Sequence, residues 1–397
     1  MKKILVVGAG YLQSFAIRRA KELGYYVLSV DGNPNALGFQ YADKSAHIDI
    51  TDSNACLEYA RQEGINGVIT AATDYSILTV SKIADSLGLP GLNYDAAVTV
   101  KNKYLTRKKL FDAKADDTEQ SYEISSMDEV KKISGCIKFP VMVKPVDGSG
   151  SRGASKVLRA PDLHAACQEA MRNSKSGKAI IESFIVGEEY GAESFVYKGK
   201  VHVIGIMRKW MAEPPFYAEL GHAYPSGLNS MIEEKIKQAV KNAIKAIGIN
   251  FGPVNMDVLI TKEGKVHVVD VGARMGGNLI YSHIIPMGTG IDYLGNVIRG
   301  AVGDDVDIST SSGTPVATAL LALQPGVILS YPNVEAFKRK NNLNYMSFLK
   351  TVGDDINPYR TNIDGCGYIV VTGDDVDECH RKAFEAKDLF DKAIIRK

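Results

Sequence analysis

The chain opens on an apolar run that leads into a glycine turn, and this order restricts the possible folds more than any other feature. Residues 4–7 read as a buried parallel strand, and the turn at residues 8–10 leads into a helix that reaches about Leu23. The strands predicted in this first unit are residues 4–7, 26–31, 46–49 and 67–70. Because helical patterns separate these strands, the sequence predicts a doubly wound α/β unit that ends near Asn93.

The first turn also resembles part of a dinucleotide-binding motif. Gly8 and Gly10 make the turn, and Asp31 stands at the end of the second strand, where such motifs carry an acid. The third glycine position of the motif, however, holds Gln13. An NAD enzyme is therefore one alternative function, which the absence of nicotinamide binding would exclude.

Length and charge narrow the class of protein. With 397 residues we expect two or three domains. A net charge of +1 gives no reason to expect a nucleic-acid partner or binding to a membrane, and no apolar stretch approaches membrane-spanning length. The apolar start reads as a strand and not as a signal peptide. Five scattered cysteines without metal or redox spacing are typical of a reducing compartment, so we expect a cytoplasmic protein.

Two carboxylates face each other across a predicted β-hairpin. Residues 256–260 and 266–271 are β-branched runs, and the Glu-Gly pair at 263–264 is a turn signal between them. A turn centred there places Asp257 opposite Asp270 on one face of the sheet. Such acids repel each other unless a cation lies between them, and oxygen ligands suit Mg²⁺. The alternative is two solvated acids on the hairpin surface.

A glycine-rich loop and two lysines form a second group. Residues 148–153 (GSGSRG) offer backbone N–H groups that can approach phosphate oxygens without side-chain obstruction. Lys144 ends the strand that leads into this loop, and Lys103 stands on a basic helix predicted for residues 101–114. Taken alone, the glycine-rich loop could be an ordinary linker, and each lysine could be a solvated surface charge. As a unit, Lys-Pro-x-x-Gly-x-Gly-x-Arg-Gly indicates phosphate binding, although it is not a P-loop.

A third group suits a base and a sugar. The predicted strand 179–182 and the following residues 183–185 offer adenine an apolar slot and backbone hydrogen bonds. Glu189, seven residues after Glu182, is placed to hold ribose hydroxyls. Each acid alone is more often a surface charge.

In this order the parts resemble the ATP-grasp superfamily, especially the branch of the carbamoyl-phosphate synthetase large chain, biotin carboxylase and the L-amino acid ligases. The resemblance covers nearly the whole chain and includes Asp270-x-x-x-Arg274. It implies an α/β protein of the α+β ATP-grasp type. Its implied domains are a Rossmann-like pre-ATP-grasp domain (1–95), an ATP-grasp domain of two α+β subdomains (96–312, with a mobile lid at about 115–185) and a small C-terminal α+β domain (313–397).

The resemblance also implies a role for each matching residue. ATP would be bound through its phosphates by Lys103, Lys144, Ser149, Gly150 and Ser151, and through adenine and ribose by Glu182, Phe184 and Glu189. Asp257 and Asp270 would bind Mg²⁺ or Mn²⁺. Arg274 and Lys144 would be catalytic, with Arg274 stabilising an acyl-phosphate or the substrate carboxylate.

Residues 214–225 (PPFYAELGHAYP) resemble the segment that lines the amino-substrate site of amino acid ligases. On this basis Glu219 and His222 would contact substrate, as would Asn278, four residues after Arg274. The alternative for Glu219 and His222 is that they only hold a loop in place.

The chain departs from the family pattern at its metal strand. The usual strand reads Glu-x-Asn-x-Arg, whereas this chain has Asp270 in place of the glutamate and Gly272 in place of the asparagine. The hairpin register places Asn255 opposite Gly272. We therefore hypothesise that Asn255 supplies the missing amide oxygen to the metal from across the sheet.

The resemblance implies an ATP- and Mg²⁺-dependent carboxylate–amine ligase that forms an amide through an acyl-phosphate and releases ADP and phosphate. Its partners would be a small carboxylate and an amine, and a homodimer is expected because the family is often dimeric. One alternative is a purine-type carboxylase or formate-using enzyme. Another is an ATP-binding protein whose catalysis the Asp270 and Gly272 departures have weakened.

Overall fold

The computed structural model describes residues 1–118, 120–148, 150, 152–214, 216–311 and 313–397, and it begins with the predicted parallel α/β unit. Its elements are β1 (Lys3–Val7), α1 (Tyr11–Glu22), β2 (Tyr26–Asp31), a 3-10 helix (Leu37–Tyr41), β3 (Lys44–His47), α2 (Ser53–Glu63), β4 (Gly67–Ile69) and α3 (Ile77–Leu87). The strands pair in parallel in the order β3-β2-β1-β4. Residues 4–7 of β1 are completely buried, as expected for a strand covered on both faces.

A separate antiparallel sheet follows, and we call residues 121–183 the lid subdomain. The elements up to its end are α4 (Tyr94–Val100), α5 (Lys103–Asp112), β5 (Ser121–Ile124), α6 (Met127–Ile133), a 3-10 helix (Ser134–Cys136), β6 (Val141–Pro145), β7 (Ser155–Val157), α7 (Ala160–Arg172) and β8 (Ala179–Ser183). The strand order is β5-β8-β6-β7. Its own apolar core includes Val141, Val143 and Ile181, so the lid subdomain can pack as a unit.

The next part of the chain builds most of the largest sheet. Its elements are β9 (Glu188–Tyr197), β10 (Lys200–Met211), β11 (Glu219–Tyr224), α8 (Ser230–Ile247), β12 (Gly252–Ile260), β13 (Val266–Gly272), a π-helical turn (Ile280–Ile284), α9 (Ile285–Thr289) and α10 (Tyr293–Ala301). The strands pair in the order β13-β12-β9-β10-β11, and every pairing is antiparallel.

The C-terminal residues extend this same sheet. Their elements are β14 (Val316–Leu320), β15 (Gly326–Ser330), α11 (Val334–Lys340), β16 (Tyr345–Phe348), β17 (Asp355–Ile356), a 3-10 helix (Asn362–Asp364), β18 (Gly367–Thr372), α12 (Val376–Ala393) and β19 (Ile395–Arg396). Because β14 pairs with β11, the sheet continues through β14, β18 and β16 to eight strands. A small sheet, β17-β15-β19, lies at the end of this part.

Helix α8 illustrates how sequence pattern and packing agree. The Asn229 side chain accepts a hydrogen bond from the Ile232 N–H and caps the start, and Gly248, with φ +85°, ends the helix. Ile236, Val240 and Ile244 are buried at helical spacing. Among all the residues that the structure describes, no helix has both the length and the apolar character needed to cross a membrane.

The hairpin of β12 and β13 has the predicted register but not the predicted turn. Asp257 pairs with Asp270 and Asn255 with Gly272, as expected. The turn is a three-residue loop, because the Thr261 N–H donates to the Lys265 carbonyl (2.9 Å). This shifts the register by one residue, and a β-bulge between Asp257 and the next residue shifts it back.

Candidate active site

A cavity of about 1060 Å³ lies where the first unit, the lid subdomain and the eight-stranded sheet meet. It contains nearly all of the residues singled out in the sequence. Those that line it are Lys103, Lys144, Gly150, Glu182, Phe184, Glu189, Glu219, His222, Asn255, Asp257, Asp270, Arg274 and Asn278. Ser149 and Ser151 lie outside the described residues. The roles given to individual residues stay predictions, but their convergence on one cavity is a property of the fold.

Lys103 enters the cavity from the start of α5. The Asn102 side chain caps this helix by accepting from the Leu105 N–H (3.0 Å), and the Lys103 N–H donates to the Val146 carbonyl (2.8 Å). These bonds fix the lysine backbone between the helix and the lid subdomain. The Lys103 ammonium reaches both Asp270 carboxylate oxygens, at 2.6 and 2.5 Å.

Lys144 reaches the cavity from strand β6 of the lid subdomain. Its ammonium lies 2.6 Å from Glu182 Oε1 on the neighbouring strand β8. Arg107 holds the other carboxylate oxygen, with Nε 3.1 Å from Glu182 Oε2, and donates to the Val268 carbonyl (2.7 Å). Although burial opposes ionisation, the charges of Lys144 and Arg107 lower the pKa of Glu182. The Glu182 side chain therefore orients the lysine, and its contact with adenine stays a prediction.

A buried lysine that the sequence did not single out gathers three of the acids. Lys209, on β10, has a side chain only 1% exposed. Its ammonium lies 2.5 Å from Glu189, 2.8 Å from Glu219 and 2.8 Å from Asp257. Burial raises the pKa of Asp257 to about 6; Lys209 opposes this rise, and the charges of Glu189 and Glu219 add to it. One cation thus faces three carboxylates, which leaves an excess of negative charge.

This excess of negative charge agrees with a divalent-cation site. Asp257 and Asp270 stand directly opposite each other on β12 and β13, and both are oxygen donors of the kind that Mg²⁺ and Mn²⁺ prefer. Burial would raise the pKa of Asp270, but the charges of Lys103 and Lys144 lower it to about 2. Asp270 is therefore ionised at neutral pH, and the residues present fit the ion that the sequence implies.

Asn255 lies in a polar network beside the two aspartates. Its Nδ2 donates to Glu193 (3.0 Å), and its Oδ1 accepts from Arg274 (3.0 Å). Glu193 is completely buried and also accepts from the Gly276 N–H (3.0 Å) and the Tyr293 hydroxyl (2.9 Å). Burial raises the pKa of Glu193 to about 7 even though these groups lower it. To ligate a metal, the Asn255 oxygen must share or exchange its bond with Arg274.

Arg274 joins the eight-stranded sheet to the first unit. Its guanidinium makes two bonds to Asp74, at 3.0 and 3.4 Å. Asp74 lies on the loop that follows β4, which also lines the cavity. A fork of two bonds fixes the plane of the guanidinium. Arg274 is thereby held between the aspartate pair and the side of the cavity formed by the first unit.

The predicted substrate residues form a second polar cluster. Glu219 accepts from the Asn278 amide and, at 3.0 Å, from Asn362 of the C-terminal part. His222 is buried, with Nε2 3.6 Å from Glu219, and its Nδ1 has no hydrogen-bond partner within the described chain. Burial alone would raise the pKa of Glu219, but the charge of Lys209 lowers this pKa well below its ordinary value. Glu219 therefore stays ionised, as a residue that holds an ammonium group must.

The described residues of the glycine-rich segment that line the cavity are Gly148, Gly150 and Arg152. Gly150 and Gly153 have φ of +65° and +67°, a conformation that favours glycine. Arg152 donates to the hydroxyl of Tyr75 in the first unit. The ring of Tyr75 also lies within 5.5 Å of the Lys101 ammonium. Arg152 thus links the lid subdomain to the first unit beside the cavity that Lys103 and Lys144 also line.

Phe184 follows the last lid strand and bounds the apolar end of the cavity. Its N–H donates to the Pro140 carbonyl (3.1 Å), and the Lys156 ammonium lies 4.1 Å from the centre of its ring. Tyr217 approaches the same ring, with centroids 6.4 Å apart. The two rings form an aromatic side of the cavity, and the binding of a base there stays a prediction.

The glycine turn of the first unit, by contrast, is filled by the chain itself. The Gln13 side chain packs against Gly10, where an added Cβ would lie 2.9 Å from a Gln13 side-chain atom. The Gln13 amide also donates to the Ala71 carbonyl (2.5 Å). Asp31 accepts from the Ala9 N–H (2.7 Å). Because the space for a dinucleotide pyrophosphate is taken by Gln13, the geometry gives the NAD alternative no support.

Four cavity residues had no distinguishing signal in the sequence. They are Asp74, Arg107, Lys209 and Asn362. Lys209 follows Arg208 at the end of the apolar run 203–207 of β10, and a second charge so close to that run is the nearest thing to a signal. The others come from loops or from a helix whose partners are remote in sequence.

A lid sheet facing a larger antiparallel sheet, with lysines from both sides and paired acids between them, defines an ATP-grasp protein. Two family descriptions match the chain: "ATP-grasp domain" over residues 137–282 and "L-amino acid ligase C-terminal domain 2" over residues 319–391. The chain therefore contains an ATP-grasp domain followed by a C-terminal domain of the L-amino acid ligase type. The class predicted from the sequence is confirmed.

Similar proteins agree with this class. Phosphoribosylglycinamide synthetase from Anaerococcus prevotii has 25% identity and a TM-score of 0.79, with both chains fully covered. L-amino acid ligase from Bacillus licheniformis has 23% identity and a TM-score of 0.86 over 100% of this chain and 99% of that one. A formate-dependent phosphoribosylglycinamide formyltransferase from Prochlorococcus marinus is 28% identical over 57% of this chain. The chain spans 56% of that relative.

Proposed function

We propose that this protein uses ATP to join a small carboxylic acid to an amine through an acyl-phosphate, releasing ADP and phosphate. The observation that carries the proposal is the single cavity in which the lysines Lys103 and Lys144 and the aspartates Asp257 and Asp270 adjoin the cluster around Glu219. The first group suits a triphosphate and its metal ion, and the second suits an amine. A shared cavity allows the amine to reach the acyl-phosphate before this intermediate leaves the protein.

The reaction follows from the chemistry of the acid. A carboxylate is a poor acyl donor because its leaving group would be oxide. In the first step a carboxylate oxygen bonds to the terminal phosphorus of ATP while the bond to ADP breaks. In the second step the amine nitrogen bonds to the acyl carbon, the amine loses a proton, and phosphate leaves with that oxygen. Neither step needs a covalent protein nucleophile.

The two lysines would neutralise charge on the transferred phosphoryl group. Each is now bonded to an acid, Lys144 to Glu182 and Lys103 to Asp270. Nucleotide binding would move these ammonium groups from carboxylates to phosphates. Asp257 and Asp270, with Asn255, would hold Mg²⁺ or Mn²⁺, which would neutralise further phosphate charge.

Arg274 would hold the acid, and Glu219 the amine. Arg274 is kept in one orientation by Asp74, so its remaining donors point to a fixed place. Glu219 is ionised and shares the buried Lys209 with Asp257, so the amine site and the metal site are electrostatically linked. The loop at residues 148–153 would exclude water from the acyl-phosphate.

The second candidate function is a carboxylase or formate-using ligase, with bicarbonate or formate as the acid. The relative named a formate-dependent formyltransferase is the observation that favours it. A homodimer remains a prediction for either function.

The experiment is a phosphate-release assay with ATP and Mg²⁺, in which acids and amines are added singly and in pairs and products are identified by mass. We expect release that requires both an acid and an amine, with a product one water lighter than their sum. Bicarbonate and formate belong to the acid panel. A formylated or carboxylated amine, formed only when formate or bicarbonate is the acid, would favour the second candidate, and phosphate release that no acid increases would contradict both.

The Asn255 hypothesis has its own test. Asn255→Ala is expected to raise the Mg²⁺ concentration needed for half-maximal activity by about tenfold or more, as loss of a ligand does. Asn242→Ala, on the exposed face of α8, is the control and should leave it unchanged. If Asn255→Ala keeps the wild-type Mg²⁺ dependence while Asp257→Ala abolishes turnover, Asn255 is not a ligand.

A further inference from the structure

The segment between α5 and the lid subdomain contacts β13 through a cluster of two aspartates and a histidine, residue types that commonly bind metal ions. Asp116 and Asp117 belong to this segment, and His267 stands on β13. One ligand atom from each lies within 4.8 Å of the others. None of the three lines the central cavity, so the cluster is separate from the proposed Mg²⁺ site.

His267 is the residue that points to a ligand. Its side chain is 9% exposed, and its buried Nδ1 has no hydrogen-bond partner within the described residues. That nitrogen lies 3.6 Å from Asp117 Oδ1 and 3.8 Å from Asp116 Oδ1. Both distances are within the range of ion pairs but too long for hydrogen bonds, so the nitrogen faces two carboxylates without bonding to either. A buried ring nitrogen without a hydrogen bond is energetically costly, which suggests that a bound ligand from outside the chain contacts this nitrogen.

The spacing suits a metal ion. Ligands bonded to Zn²⁺ at roughly 2.0–2.2 Å in a tetrahedron lie roughly 3.3–3.6 Å from one another. The 3.6 and 3.8 Å separations from His267 need only a small contraction to reach that range. The two carboxylate oxygens, which lie within 4.8 Å of each other, must approach as well. One imidazole nitrogen with two carboxylates suits Zn²⁺ or a similar transition-metal ion better than Mg²⁺.

The two carboxylates are held by groups around them. Asp116 Oδ2 accepts from the Val268 N–H (2.8 Å), and its Oδ1 accepts from Thr118 N–H and hydroxyl (2.8 and 2.6 Å). The other oxygen of Asp117 pairs with Lys265. Outer partners of this kind orient metal ligands, so the acids are fixed where the histidine faces them.

We propose that Asp116, Asp117 and His267 bind a divalent transition-metal ion such as Zn²⁺, with water completing the coordination. The ion would tie the entrance of the lid subdomain to β13, the strand that also carries Asp270. It would therefore fasten the base of the lid without taking part in the reaction.

Zinc binding by the full-length protein tests this proposal. The chelator-treated protein is dialysed against ZnCl₂ in excess Mg²⁺, and zinc per chain is measured together with affinity by calorimetry. We expect about one zinc per chain, bound at least about tenfold more weakly in His267→Gln and in Asp117→Asn. Asp117 is 62% exposed, so its variant should fold normally.

Two further variants separate this site from other zinc binding. His164→Gln, an exposed histidine of α7, and Asp270→Asn, in the Mg²⁺ site, should both keep the zinc. The proposal is overturned if wild-type protein binds no zinc under these conditions. It is equally overturned if His267→Gln and Asp117→Asn bind zinc as wild type does, or if only Asp270→Asn loses it.

Discussion

Replacing Lys144 by alanine is expected to lower the turnover number by about 10²–10³-fold, as loss of one preorganised charge on a developing anion does. Lys144 brings its ammonium into the cavity from β6 and is oriented by the buried Glu182 at 2.6 Å. Its removal takes away a positive charge where charge accumulates on the transferred phosphoryl group. Steady-state kinetics at saturating ATP measure the effect.

The matched control is Lys178→Ala in the same subdomain. Lys178 pairs with Glu123 at 2.8 Å and is 41% exposed, so its loss should change turnover little. Circular dichroism must first establish that Lys144→Ala is folded, because among the described residues Glu182 then keeps Arg107 alone as an ion-pair partner. Near-normal turnover in folded Lys144→Ala would contradict the phosphate role.

Replacing Lys209 by methionine is expected to destabilise the protein by about 3–5 kcal/mol at pH 7. The lysine is buried with three carboxylates, so its removal leaves Glu189, Glu219 and Asp257 without their shared cation. Urea unfolding can be followed through the fluorescence of Trp210, the next residue on β10 and the only tryptophan of the chain.

Lys200→Met provides the control, because Lys200 lies at the exposed start of the same strand. It should change the free energy of unfolding by no more than about 0.5 kcal/mol, as surface substitutions usually do. Equal stability of Lys209→Met and Lys200→Met would mean that the three acids do not depend on Lys209. Added Mg²⁺ should stabilise Lys209→Met more than wild type, since the excess of negative charge is then larger.

The fold was predictable where local chemistry decides it. The apolar run of β1, the glycine turn and the alternation of strands and helices define the first unit. The register that pairs Asp257 with Asp270 was also predictable. The true turn was not, because the loop after Thr261 and the compensating bulge depend on how β13 packs against its neighbours.

The site was predictable only in part. Ordered motifs singled out Lys103, Lys144 and the aspartate pair, all of which line the cavity, because few residue types suit phosphates and their metal ions. Nothing in the sequence indicated that Lys209 would gather three acids, or that Asn362 would reach Glu219 from the C-terminal part. Those contacts arise from the eight-stranded sheet, which joins β11 to β14 by pairing Tyr224 with Val316, 92 positions later in the sequence.

The most direct test of the central claim uses the acid and amine found by the assay, with ¹⁸O in the carboxylate of the acid. If an acyl-phosphate forms, the oxygen that bonds to phosphorus leaves with it. We therefore predict that one ¹⁸O per turnover appears in the released phosphate, as measured by mass spectrometry. Phosphate that carries no ¹⁸O, with the amide still formed, would contradict activation of the acid by phosphoryl transfer.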